Sequence, residues 1–146
     1  MNNPIVYWSI AGILFIWGAA YAGLVLFSFF VSSPEHWNAL VAEGRIRAEY
    51  AIYISEIPGW VIVTTVIAAL TRLLGALALL LRNAWAFPFY SISLCSVVVI
   101  MFRGFVLADV ASVIRTSQIV LEFAFLSISV FAVWYTFAQV NGGVLR

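Results

Sequence analysis

The sequence predicts an all-α integral membrane protein: a four-helix up-down bundle with an amphipathic interfacial helical segment between the first and second spans. Two observations carry this. Four apolar runs, at 6–31, 60–81, 84–107 and roughly 119–138, take up most of the 146 residues, and each reaches the roughly 20 residues that cover the hydrocarbon core of a bilayer. The chain is also 65% hydrophobic and only 9% charged, with a mean hydropathy of +1.11. A soluble domain of this length has too small an interior to hide so much apolar surface. One transmembrane domain over 1–146 is expected, with the lipid bilayer as its solvent.

The first run, 6–31, follows a segment Met1–Pro4 without Lys or Arg. It is also longer than the apolar core of a secretory signal, so it reads as a retained helix. Gly12, Gly18, Ala19, Ala22 and Gly23 give it small faces, with Gly18-xxx-Ala22 and Ala19-xxx-Gly23 as pairs that admit close helix approach.

Segment 32–59 opens on Ser33-Pro34-Glu35, a helix-start signal of cap, first-turn proline and acid at the positive dipole end. Trp37, Leu40 and Val41 then fall on one side. Gly44 ends that turn, and Ile46, Tyr50 and Tyr53 resume an apolar stripe up to Pro58. One or two amphipathic helices at the membrane surface are predicted.

The second run, 60–81, leads through a tight turn at Arg82-Asn83 into the third, 84–107, and residues 108–118 connect to the fourth, 119–138. Short turns make these spans antiparallel neighbours. Trp8, Trp85 and Trp134, with Tyr7 and Tyr135, mark one membrane face as interfacial anchors, and Trp37 and Trp60 mark the other. Arg82, Arg146 and the N-terminal amine lie on one side, against Arg45, Arg47 and Arg115 on the other. Basic residues therefore do not decide orientation, and cytoplasmic termini are the working expectation.

Several chemistries are missing from the residues. There is no Lys, a single His (His36) and a single Cys (Cys95). This excludes a lysine Schiff base or nucleophile, paired-histidine haem ligation, an internal disulfide and a CxxC redox pair. No phosphate-loop, zinc-protease or nucleophile-elbow motif occurs. No catalytic residue, metal ligand or cofactor is assigned, and a non-enzyme is expected. The net charge of +1 argues against a nucleic-acid partner.

Three ionisable residues lie within the spans: Arg72, Arg103 and Glu122. Each carries an insertion cost of roughly 2.5–3.5 kcal/mol at a helix centre, so such groups turn towards protein or water. Arg72 shares a helical face with Thr65, Ala68, Ala69, Gly75 and Ala76, which should point inward; Tyr21 and Glu122 are its candidate partners. Arg103 and Glu122 reach similar depth on antiparallel spans and are expected to form an ion pair, structural or functional. In the fourth span Arg115, Glu122, Ser129 and Thr136 recur every seven residues, with Gln118 beside them, as a polar stripe. The stripe is either a helix–helix contact or the lining of a pathway or pocket. Glu56 and Asp109 fall at the same membrane face as Arg103 and Glu122; they are either a polar vestibule together with Tyr53 or, as the preferred reading, simply solvated interfacial acids.

The string Pro58-Gly59-Trp60, the segment Leu74-Gly75-Ala76-Leu77-Ala78-Leu79-Leu80-Leu81-Arg82, then Ala84-Trp85-Ala86-Phe87-Pro88, Ser93-Leu94 and Gly143-Val144-Leu145-Arg146, with Trp17, resemble small four-span bacterial inner-membrane proteins labelled as sugar transporters. That resemblance implies a bacterial inner-membrane location and a transport role, and brings no catalytic or binding residues with it. Arg103 stands where the family has a neutral aromatic.

Two functions are carried forward. The first is binding or translocation of a small polar molecule by Arg72, Arg103, Glu122, Ser129 and Thr136, with translocation needing a homo-oligomer. The alternative is an accessory or structural subunit packed against a larger membrane complex. A third, a glutathione-dependent transferase, rests on Arg72 alone, since no Asn/Glu pattern follows it.

Overall fold

A computed structural model describes residues 3–31 and 33–146. Four helices long and apolar enough to cross a membrane follow the four apolar runs: α1 (Pro4–Val31), α4 (Gly59–Leu80), α5 (Ala86–Phe102, continued by a π-helical turn, Arg103–Leu107) and α6 (Thr116–Asn141). Two short helices, α2 (Pro34–Ala42) and α3 (Ala48–Ser55), lie between the first and second spans. The fold is thus all-α, multi-pass and membrane-spanning.

The bundle is built around α4, which packs against α1 and α5, while α5 packs against α6. Small residues explain the closeness: Ala68, Ala69, Gly75, Ala76 and Ala78 are all buried on α4. In lipid, helices associate through van der Waals contact and hydrogen bonds rather than by escaping water, so short side chains at the seam are favoured. The α1–α6 seam is wider and filled by rings, with Trp17 and Phe125 at 4.5 Å and Tyr7 and Tyr135 at 6.4 Å between centroids. On α1, Gly18 and Ala22 face the bundle, whereas Ala19 and Gly23 are exposed.

The caps follow local chemistry. Ser33 Oγ accepts the His36 N–H at 3.2 Å, starting α2 with Pro34 in its first turn. Gly44, at φ 69°, turns the chain out of α2, with Arg45 N–H reaching back to the Leu40 carbonyl at 3.0 Å. The interfacial pair is then tied down by side chains: Arg47 Nη1 donates to the Ser112 carbonyl at 3.1 Å, and Arg115 Nη2 donates to the Gly44 carbonyl. Tyr50 and Tyr53 stack at 6.1 Å on α3.

The opposite end is closed by a turn and the last residues described. Asn83 N–H reaches the Ala78 carbonyl at 2.8 Å, which places Arg82 at φ 55°. A left-handed non-glycine residue costs roughly 1–2 kcal/mol. The third span consequently begins at Ala86 rather than at 84. After α6, Gly143 (φ 70°) redirects the chain, Leu145 is buried, and Arg146 pairs with the turn. Its N–H donates to the Arg82 carbonyl and its carbonyl accepts from Ala84 N–H, both at 3.1 Å. Of the expected anchors, Trp8, Trp60, Trp85 and Trp134 are exposed and Trp37 is half-buried.

Candidate functional site

Arg72 is the largest fully buried side chain among the described residues, only 1% exposed. Its helix presents Ala68, Ala69, Gly75 and Ala76 on the same inward face, as the sequence spacing predicts. Gly18 of α1 packs beside it, where an added Cβ would stand in ordinary contact, 3.5 Å from the Arg72 carbonyl oxygen and 3.6 Å from Arg72 Cγ. The guanidinium then meets three other spans. Nη2 donates to Ser129 Oγ of α6 at 2.8 Å, and that hydroxyl donates onward to the Phe125 carbonyl at 2.9 Å. The guanidinium carbon sits 4.1 Å from the Tyr21 ring centre and 5.7 Å from the Trp17 ring, both on α1. From α5, Tyr90 lies within electrostatic reach. Its ring is pressed against Gly75, where an added Cβ would come within 3.0 Å of it.

No carboxylate neutralises this arginine. Among the described residues the one ion pair within 4.0 Å is Arg45–Glu43, at 3.9 Å on the surface. A buried charge without a counter-charge is costly by several kcal/mol unless dipoles and ring faces replace its hydration. Here one hydroxyl and two rings do part of that work. Arg72 Nη1 and Tyr90 Oη are both buried without a hydrogen-bond partner. Buried polar groups are seldom left so, and here two lie on facing spans, one of them on the guanidinium itself.

The other expected site residues separate. Ser129 joins Arg72. Thr136, fully buried, donates to the Ala132 and Val133 carbonyls of its own helix at 2.8 and 3.0 Å, which satisfies it locally. The polar stripe therefore splits into a buried half, Ser129 and Thr136, and an exposed half, Arg115 and Glu122.

The expected Arg103–Glu122 ion pair does not form. Arg103 Nη1 donates instead to Tyr53 Oη at 3.2 Å, with its guanidinium carbon 5.2 Å from that ring. The cause is twofold. The end of α5 loosens into a π-turn, closed by Ala108 N–H on the Arg103 carbonyl at 2.9 Å, and α3 brings Tyr53 over it. The α5–α6 seam beyond is filled by Phe105 and Phe123, 5.7 Å apart. Glu122 lies instead within electrostatic reach of Tyr21 and Tyr50, near the α1–α6 seam. Burial pushes the Tyr50 phenol above its ordinary value, and the charges of Glu122 and Tyr53 push the same way. Glu56 and Asp109 are exposed.

The chain matches no protein-family model, no curated protein and no solved structure. Among the described residues no group of three or more His, Cys, Asp or Glu is placed to hold a metal ion.

Tyr90 is the residue that the sequence reading passed over. Its signal was present: Ala86, Tyr90, Ser93 and Val97 recur at helical spacing and form the buried face of α5. Ser93 Oγ also donates to the Ala68 carbonyl at 3.0 Å, pinning α5 to α4 one turn from Arg72.

Proposed function

We propose that this protein binds, and as a homo-oligomer translocates, a small polar molecule inside the membrane, with Arg72 as its recognition point. The observation that carries the reading is the buried, acid-free guanidinium whose Nη1 is unpartnered beside an equally unpartnered Tyr90 hydroxyl. Intramembrane arginines of this kind are expensive to retain and mark substrate or ion paths. Ser129 fixes the orientation of the guanidinium, and Trp17 and Tyr21 cover its face. Arg103, Glu122 and Thr136 stay outside this recognition set, since each is engaged or exposed elsewhere. The reading includes the bacterial inner-membrane family that the sequence resembles, with cytoplasmic termini.

A second reading, an accessory subunit of a larger membrane complex, is favoured by one feature. Ala19 and Gly23 leave small-residue surface on the outside of α1, with open space around Gly23. Purification in mild detergent, with mass spectrometry of everything that co-elutes, separates the two. A small polar molecule carried by the wild type and lost from Arg72→Met supports recognition by Arg72. A protein at fixed stoichiometry, retained by Arg72→Met, supports the accessory role.

A further inference from the structure

We infer that the Arg82–Arg146 end of the bundle is a binding site for an acidic phospholipid, seated in the groove between α1 and α6. This groove encloses about 910 Å³. Val6, Ile10, Phe131 and Trp134 line it with apolar surface, Tyr7, Tyr135 and Gln139 add polar atoms, and Arg82 and Arg146, which follow the ends of α4 and α6, line it too. That order, apolar surface along the helices and cations at their ends, is the order of acyl chain and headgroup in a leaflet.

Three further observations point to a phosphate at the rim. The first is charge. All six acidic side chains of the chain, Glu35, Glu43, Glu49, Glu56, Asp109 and Glu122, sit towards the other end, where they outnumber Arg45, Arg47, Arg103 and Arg115. The Arg82 end has two arginines and no acidic side chain. The second is orientation. The Arg82 guanidinium is held over the Tyr7 and Trp8 rings, at 5.3 and 5.2 Å, with no carboxylate of the described residues within ion-pairing distance. Ring faces position a cation while leaving its edge free for phosphate oxygens. The third is backbone. Arg82 occupies a left-handed position that glycine fills without strain, and its backbone is paired with that of Arg146. The pairing fixes the spacing at which the two guanidiniums leave the chain, and strain of this kind gathers at functional sites.

The two arginines thus bracket one phosphodiester, and the groove below takes an acyl chain. An anionic leaflet also favours basic residues by electrostatics alone; the groove adds a fixed position. This site is separate from Arg72 and does not depend on the reading given for it.

The test uses the purified, delipidated full chain in neutral detergent, titrated with dioctanoyl-phosphatidylglycerol, dioctanoyl-phosphatidylcholine or glycerol phosphate. Tryptophan fluorescence and thermal stability are read together. The expected result is phosphatidylglycerol binding about tenfold or more tightly than phosphatidylcholine, the scale of losing a charge-assisted hydrogen bond. Arg146→Gln, which keeps the backbone pairing, should remove most of that preference. Arg82→Gly, which relieves the left-handed strain, should remove it without lowering lipid-free stability. Arg45→Gln, at the other end, should keep it. Equal affinity for the two lipids would overturn the proposal, as would a preference that survives both arginine changes or falls equally with Arg45→Gln. Glycerol phosphate binding as tightly as the lipid would also overturn it, by making this a soluble-phosphate site.

Discussion

The guanidinium carbon of Arg72 lies 4.1 Å from the centre of the Tyr21 ring, in the middle of the bundle and with no carboxylate of the described residues within ion-pairing distance. That contact does what a salt bridge does in a soluble protein. A ring face offers negative potential without adding a second charge that must itself be desolvated. The arrangement leaves the guanidinium edge available to Ser129 on one side and open on the other. An acid at Tyr21 would have satisfied the cation and closed the site.

Tyr21→Leu should therefore lower stability by about 2 kcal/mol or more, the scale of a desolvated cation–π contact. Tyr21→Phe keeps the ring face and should cost well under half of that. Reversible unfolding in mixed micelles measures both. Equal losses from the two substitutions would mean that the hydroxyl or the side-chain volume matters rather than the ring.

Two glycines in the spans should respond in opposite directions. A Cβ at Gly18 meets its nearest neighbours at 3.5–3.6 Å, ordinary contact, so Gly18→Ala should gain the helical preference of alanine, about 0.5 kcal/mol. At Gly75 the same atom comes within 3.0–3.2 Å of the buried Tyr90 ring. Displacing a packed ring costs typically about 1–3 kcal/mol, more than the helix gain, so Gly75→Ala should destabilise. Thermal unfolding of the two variants side by side checks the order, and a stable Gly75→Ala protein would mean that Tyr90 is free to move.

What could be read in the sequence was what depends on neighbours along the chain. The spans follow from apolar runs because lipid requires each crossing segment to satisfy its own backbone. Ser33, Pro34 and Gly44 announced helix ends because caps are local. Arg72 was expected to face inward from the small residues around it, and Tyr21 was among its candidate partners. The partner of Arg103 was not legible. Matching its depth to Glu122 assumed a straight α5, and the chain instead loosens into a π-turn and folds α3 across it. Arg82 in a left-handed turn was equally hidden, because nothing in its side chain favours that conformation.

The Arg103 contact is open to a double-mutant cycle. Arg103→Gln paired with Tyr53→Leu should show a coupling of about 0.5–1 kcal/mol, the size of one hydrogen bond with a cation–π contact at a half-exposed site. Arg103→Gln paired with Glu122→Gln should be additive within about 0.3 kcal/mol, as for groups that share no contact. A larger coupling to Glu122 would restore the ion pair that the sequence suggested.

Tyr50 links the interfacial helix α3 to the span carrying Glu122, and pH reports that link. Its phenol is raised above the ordinary value of 10.0 by burial first, then by the charges of Glu122 and Tyr53. The folded state thus holds this proton more tightly than the unfolded chain does. The resulting stabilisation is complete below the ordinary value and is lost as pH rises through the raised one. Docking of α3 should accordingly persist past the pH at which a free tyrosine ionises, and then fail. The phenolate absorbance of the wild type minus that of Tyr50→Phe gives the midpoint, and hydrogen exchange across 48–55 gives the docking. Glu122→Gln removes one of the two charges and should shift the midpoint downward while burial keeps it above ordinary. If the midpoint sits at or below the ordinary value, Tyr50 is solvated and α3 does not dock through it. If Glu122→Gln leaves it unmoved, Glu122 faces away from α3.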